Sequence, residues 1–164
     1  MTRLGLALLP LAALALPAAA QQDGKESLGV YSNWAAFRDE SAARCYAIAR
    51  PRGSNRAAAF ASIATWPKRG IRGQLHIRLA RPAAKGSAPS LRVGSRRFDL
   101  VARGRDAWAK DAAADAAIIA ALRSATILRV TARAAGGGRF TSRYDLDGVA
   151  TAMDAATVGC ANLR

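Results

Sequence analysis

A histidine, two cysteines and several arginines are the side chains of this sequence best suited to chemistry. His76 is its only histidine, and an imidazole acts as a general base when a nucleophile and an orienting acid lie beside it. The sequence has no Gly-x-Ser-x-Gly elbow and no serine recognisably placed as a nucleophile. We therefore interpret His76 as an ordinary surface residue and predict a non-enzymatic protein. A deep polar cleft around His76 would revive the alternative, a hydrolase.

Three further patterns have simple structural explanations. Two cysteines and one histidine without close spacing do not make a zinc site, so we predict no metal and no cofactor. The run Gly136-Gly137-Gly138 is not followed by Lys-Ser or Lys-Thr, which indicates a hairpin turn rather than a phosphate loop. Asp111 and Asp115 could form an acid pair, but a helix N-cap and a favourable contact with the helix dipole explain both residues.

Arginines alternate with apolar residues in two segments, 126–134 and 139–146, that are predicted to form a β-hairpin. Both apolar sets fall on one face only if the loop is odd, for example Ala135 to Gly137. The polar face then pairs Arg133 with Arg139 and Arg129 with Arg143. Like charges directly opposite each other are destabilising, which suggests either nearby carboxylates or an anionic partner. The pattern predicts a basic patch and leaves open whether it binds anions or is simply a solvated face.

Most of the remaining sequence is typical of short strands. We predict strands over residues 30–38, 43–50, 58–66, 74–80, 91–93 and 96–101, with residues 21–27 as a flexible lead-in and 51–56 as a loop. This pattern favours an all-β fold, mainly an antiparallel sandwich or flattened barrel, with one or two short helices near the C-terminus. Trp34, Trp66 and Trp108 could stack on sugar rings, although core positions are commoner for tryptophan in a small β domain.

Two helices complete the prediction. The first runs from Asp111 to Arg123, with Ile118, Ile119 and Leu122 as its buried stripe. The second runs over residues 148–158 and places Cys160 on or next to the face that docks on the sheet. A disulfide between Cys45 and Cys160 would then staple the C-terminal helix to the second predicted strand. Two buried free thiols are the alternative.

The first twenty residues resemble a secretory signal peptide. A basic start is followed by an apolar run and by Ala18-Ala19-Ala20, a small-x-small cleavage pattern, so the mature chain is expected to begin at Gln21. The apolar run is shorter than the roughly 20 residues of a membrane span and contains Pro10 and Pro17, so we predict no transmembrane anchor. Removing 20 of 164 residues leaves a single domain of 144 residues, periplasmic or secreted. An oxidising compartment favours the disulfide.

The chain is strongly basic, with a formal charge of +14 that becomes +13 when Arg3 is removed with the signal peptide. Such a charge is typical of proteins that bind nucleic acids or membrane surfaces. Export removes the chain from intracellular nucleic acid, so we predict no nucleic-acid partner. The 21 arginines against four lysines also match the codon supply of a GC-rich genome. The charge therefore has two open interpretations, codon bias and docking on an anionic surface such as lipopolysaccharide or glycan.

With these residues described, the sequence resembles the invasion-associated locus B family of exported bacterial proteins. The resemblance covers most of the mature chain, and residues 70–105 contribute nothing to it. The matching motifs are Ser32-Asn33-Trp34, Cys45-Tyr46, Thr65-Trp66-Pro67, Ala107-Trp108-Ala109-Lys110-Asp111, Tyr144-Asp145-Leu146-Asp147-Gly148 and Cys160. The hairpin turn, residues 134–139, departs from the family pattern.

The resemblance implies an exported β-rich protein without an established enzymatic activity, linked by name to host-cell invasion. We therefore expect a protein that acts by surface binding, either to the bacterial envelope or to a host surface.

Overall fold

The computed structural model describes residues 24–53, 59–161 and 163. The predicted signal peptide and part of the predicted loop 51–56 lie outside these residues. In the described part, ten strands, a short 3-10 helix and two α-helices follow one another. They are β1 (Lys25–Tyr31), β2 (Trp34–Asp39), β3 (Arg44–Ala49), β4 (Phe60–Trp66), the 3-10 helix (Pro67–Arg69), β5 (Ile71–Arg78), β6 (Ser90–Val93), β7 (Arg96–Arg103), β8 (Asp106–Ala109), α1 (Ala112–Leu122), β9 (Ile127–Arg133), β10 (Arg139–Asp145) and α2 (Val149–Gly159).

The strands form one antiparallel sheet in the order β1-β2-β3-β4-β5-β8-β7-β6-β9-β10. The sheet folds over, so that the inner sides of β2–β5 and of β6, β9 and β10 share a single core. Leu75 and Ile77 of β5 face this core with Leu128 and Val130 of β9, and all four are fully buried. The predicted all-β sandwich or flattened barrel with two short helices is confirmed.

Hydrogen bonds from β2 and from the loop after β3 reach β10 and join the two ends of the sheet. The indole Nε1–H of Trp34 donates to the backbone oxygen of Asp145 over 2.9 Å. The backbone N–H of Arg52 donates to the oxygen of Arg143 over 2.7 Å. Because a free edge strand exposes unpaired N–H and C=O groups, these bonds satisfy part of the β10 edge and form a seam between β10 and the β2–β3 side of the sheet.

The single strand predicted over residues 30–38 is wrong, because two strands, β1 and β2, occupy this region. The chain reverses at Ser32 and Asn33, and Ser32 has a φ of 50°, the left-handed conformation of a tight turn. Lys25 to Ser27 belong to β1 although they were predicted to be a flexible lead-in. Their polar side chains obscured the strand because β1 is an edge strand that pairs only with β2.

The disulfide between Cys45 and Cys160 is present, with the two Cα atoms 5.6 Å apart. Cys45 lies in β3, the third strand of the sheet and not the second. Cys160 caps the C-terminal end of α2, which packs against β1, β2 and β3. Val149, Met153 and Ala156 of α2 are buried against the sheet. The cross-link therefore joins the C-terminal helix to the core strands, as the helical spacing predicted.

Helix α1 begins at its predicted N-cap. The carboxylate of Asp111 accepts a hydrogen bond from the backbone N–H of Ala114 over 2.7 Å, which satisfies one of the free N–H groups of the first turn. Ile118 and Leu122 are fully buried, and Ile119 is half-buried. Over the described ranges, no helix is both long and apolar enough to span a bilayer.

Candidate functional site

The β9–β10 hairpin has the register that the charge pattern predicted. Arg133 pairs with Arg139 and Arg129 pairs with Arg143. The backbone N–H of Ala134 donates to the oxygen of Gly138, which leaves a three-residue loop. This odd loop keeps Leu128, Val130 and Ala132 on the buried side and the arginines on the outer side.

Strands β6 and β7 extend the basic surface. Arg92 of β6 pairs on one side with Arg129 of β9 and on the other with Arg97 of β7. Four arginines, one from each of four neighbouring strands, thus stand in one row across the sheet. Adjacent strands are about 4.8 Å apart, so the row spans about 14 Å. We call the surface made by this row and the Arg133–Arg139 pair the arginine face; its residues are Arg92, Arg97, Arg129, Arg133, Arg139 and Arg143.

Few carboxylates neutralise the arginine face. Asp99 lies 3.9 Å from the guanidinium of Arg97, and both side chains are mostly exposed. For the other five arginines, no carboxylate of the described residues lies within ion-pair distance. Nearby carboxylates, the first explanation for the like-charge pairs, therefore do not account for them in this part of the chain.

A concavity of about 590 Å³ lies on the arginine face. Five of the six arginines line it, and Arg143 lies outside it. Ser87, Ser90 and Thr131 add hydroxyl groups to the wall, and Thr131 Oγ1 lies 2.9 Å from Thr141 Oγ1 across the hairpin. Guanidinium and hydroxyl donors around a concave surface suit phosphate, sulfate or carboxylate oxygens, which guanidinium binds in a bidentate manner.

His76 lies on a different surface of the sheet, and its imidazole cross-links two strands. Its Nε2 lies 2.9 Å from Asp106 Oδ1 of β8, and Arg78 donates to Asp106 Oδ2 over 2.5 Å. Burial raises the pKa of Asp106, but the hydrogen bonds from Arg78 and His76 lower it further, so that the pKa lies below its usual value. The ring stacks on Trp108 and meets the ring of Phe60 edge-on.

The residue directly opposite His76 in the neighbouring strand β4 is a serine, Ser62. No hydrogen bond between Ser62 and His76 is found in the described residues. Neither a concavity of about 670 Å³ beside β1–β4 nor the one on the arginine face includes His76 in its wall. The contacts of His76 are those of a residue that joins β5 to β8, and the prediction of a non-enzymatic protein stays a prediction.

The other candidate residues have structural roles. Asp115 is partly buried, and its Oδ1 accepts a hydrogen bond from the backbone N–H of Leu75 over 2.8 Å. It therefore ties α1 to β5, a role beyond the predicted dipole contact. Among the residues that the structure describes, no three His, Cys, Asp or Glu side chains cluster as metal ligands would. Trp34 lies in the core, whereas Trp66 and Trp108 are half-buried.

Sequence reasoning missed Arg92 and Arg97. Arg92 stands between Leu91 and Val93, whereas Arg97 stands between Arg96 and Phe98, so alternation places only Arg92 on the polar side of its strand. The pattern does not say which strand lies beside β9, however, because that pairing joins residues about 40 positions apart.

Comparisons with known proteins add no further assignment: no protein-family model, no curated protein and no solved structure matches this chain.

Proposed function

We propose that this chain is an exported, non-enzymatic protein of the invasion-associated locus B type, which acts by docking its arginine face on anionic polymers of the bacterial envelope or of a host surface. The target is a polysaccharide that bears phosphate or carboxylate groups, such as lipopolysaccharide. The observation that carries the proposal is the row of Arg97, Arg92, Arg129 and Arg143 across four strands. Among the described residues, only Arg97 of this row has a carboxylate within ion-pair distance.

Export is part of this proposal. It rests on the basic, apolar and small-residue pattern of the first twenty residues and on the disulfide between Cys45 and Cys160. Disulfides persist in oxidising compartments and are rare in the cytosol. A protein in the periplasm or medium meets anionic glycans rather than nucleic acid.

The arrangement of the arginines favours a repeating anion over a single small one. The row is about 14 Å long at a strand spacing of about 4.8 Å, whereas one phosphate contacts only one or two guanidinium groups. The codon supply of a GC-rich genome would account for the number of arginines in the chain but not for their position in one row. A face that only contacted solvent would be more stable with carboxylates between the arginines, because like charges directly opposite each other are destabilising.

The experiment compares two variants with equal net charge. The arginine-face variant replaces Arg92, Arg129, Arg133 and Arg139 by Gln, and all four of these residues line the concavity. The control variant replaces four exposed basic residues elsewhere by Gln, namely Lys68, Arg69, Arg72 and Lys110. Binding of the mature, oxidised proteins is measured on immobilised lipopolysaccharide and on its dephosphorylated form, at low and moderate salt.

We expect the arginine-face variant to lose at least tenfold in affinity for lipopolysaccharide, because each lost guanidinium contact removes a charge-assisted hydrogen bond. The wild-type protein and the control variant should bind alike, and both should bind more weakly at higher salt. Equal losses in both variants would show that only net charge matters and would contradict the proposal. Equal binding to dephosphorylated and intact lipopolysaccharide would contradict phosphate as the target.

A further inference from the structure

A second concavity, of about 670 Å³, lies beside the seam and is separate from the arginine face. The two share no lining residue. Its volume falls within the range of about 300–1,000 Å³ that is usual for small-molecule sites. The residues that form its floor are largely apolar and come from the outer side of β1–β4; they are Val30, Ala35, Phe37, Ile48 and Phe60. We call this concavity the seam groove.

Strand register explains the apolar floor of the seam groove. Val30 pairs with Ala35, and Ala35 pairs with Ile48, so three neighbouring strands place apolar side chains side by side. The outer side of an antiparallel sheet usually carries polar residues, yet Val30 is 73% exposed. Ala35 and Ile48 beside it are half-buried. A continuous, partly exposed apolar surface marks binding sites more often than a single exposed residue does.

Among the described residues that line the seam groove, one cation at the rim has no carboxylate partner. Arg52 and Asp145 both line the groove, but they neutralise each other through hydrogen bonds of 2.9 and 2.5 Å. Arg50 is exposed, and within the described ranges no carboxylate lies within ion-pair distance of it. It follows Ile48 by two residues, so it projects from the same side of the chain. The described part of the groove thus combines an apolar floor with the positive charge of Arg50 at its edge.

We propose that the seam groove binds a single-chain anionic lipid, with the acyl chain on the apolar floor and the head group on Arg50. The pairing of floor and cation matches the two ends of such a molecule. An extended peptide fits less well, because it would pair with the free edge of β1 and would not lie across the apolar floor, where the backbone groups of β2 and β3 are already used in the sheet. A bilayer surface fits less well because, of the floor residues, only Val30 is largely exposed, whereas the other four are half-buried and offer little apolar surface to a membrane.

Calorimetric titration of the mature, oxidised protein with sodium octanoate, decanoate and dodecanoate, each below its critical micelle concentration, tests the acyl-chain contact. We expect one site, with affinity that rises about fourfold for each added methylene group. Affinity independent of chain length would overturn the proposal, as would binding to anionic vesicles without binding of monomeric dodecanoate.

Two exposed valines provide a matched pair of variants. Val30 lies in the groove and is 73% exposed, whereas Val158 lies on α2 and is 75% exposed. Val30→Asp should weaken dodecanoate binding more than tenfold, because it places a like charge in the path of an apolar chain. Val158→Asp should bind as the wild type does. Equal binding by Val30→Asp, with circular dichroism confirming the fold, would overturn the site.

Arg50→Gln tests the head-group contact. It should weaken decanoate binding about tenfold and leave binding of the uncharged 1-decanol unchanged, since only the anion contacts the guanidinium. Equal losses for both ligands would overturn the role of Arg50. The proposal does not depend on the arginine face, so the arginine-face variant should bind dodecanoate normally. Loss of dodecanoate binding in that variant would place the lipid on the arginine face and overturn the seam groove.

Discussion

Arg92 of β6 and Arg129 of β9 are direct cross-strand partners on the outer side of the sheet. Arg129 also faces Arg143 on its other side, so one guanidinium stands between two others. Directly opposed like charges are unfavourable by roughly 0.2–1 kcal/mol per pair. The arrangement therefore lowers stability slightly while it concentrates positive charge.

We predict that Arg129→Glu stabilises the protein by about 0.5–1 kcal/mol, because the carboxylate gains two cationic neighbours. The same change should abolish most of the binding to lipopolysaccharide. Urea unfolding of the oxidised protein measures the first effect, and Arg72→Glu, at an exposed position in β5, is the control for charge reversal alone. Destabilisation by Arg129→Glu would show that the row is not electrostatically strained.

The disulfide is predicted to contribute a large share of the stability. It closes a loop with a sequence separation of 115 residues, for which chain entropy gives roughly 4–5 kcal/mol as an upper figure. Cys45→Ala combined with Cys160→Ala should lower the free energy of unfolding by about 3–5 kcal/mol, and chemical reduction of the wild type should have a similar effect. Coincident urea curves for the oxidised and reduced protein would contradict this prediction.

Asp115 is predicted to make stability depend on pH. Burial raises its pKa above the usual value, although the hydrogen bond from the N–H of Leu75 acts in the opposite direction. A carboxyl whose pKa is higher in the folded state binds more protons there than in the unfolded state. Its contribution to stability is therefore present below the unfolded value of about 3.9 and is lost as the pH rises through the folded pKa.

Asp115→Asn keeps an oxygen to accept the hydrogen bond from Leu75 and removes the titration. We expect the variant to gain stability relative to the wild type as the pH rises from 3 to 7, measured by urea unfolding at several pH values. Other carboxyls with lowered pKa, such as Asp106 and Asp39, affect both proteins equally. Parallel profiles for Asp115→Asn and the wild type would refute the assignment.

The sequence predicted those features that local pattern determines. Alternation in β9 and β10 indicates which residues face the core. Only a loop with an odd number of residues places the apolar residues of both strands on the same face. That loop in turn pairs Arg129 with Arg143. Asp111 and the alanine-rich stretch after it likewise predicted the start of α1. In each case, neighbours within a few residues decide the outcome.

Features that depend on distant pairing were not predictable in this way. The segment Asp106–Ala109 becomes β8 because it pairs with β5 and β7 on either side, and its four residues carry little alternation of their own. The seam groove arises where the outer faces of four strands meet the end of β10. No local pattern places Val30 and Ile48 on one surface, because they lie in different strands and each pairs with Ala35 of the strand between them.

Substitution of Gly148 tests the contact between the start of α2 and the end of β1. It has a φ of 86°, and a Cβ at this position would collide with the backbone oxygen of Tyr31, so both conformation and space require glycine. Gly86 has a similar φ of 73° but nothing near its Cβ position. Gly86→Ala should therefore lower the free energy of unfolding only by the left-handed cost of about 1–2 kcal/mol. Gly148→Ala should lower it by at least about 2 kcal/mol more, because the junction between β1 and α2 must open. Equal losses in urea unfolding would show that this contact does not hold β1 against the start of α2.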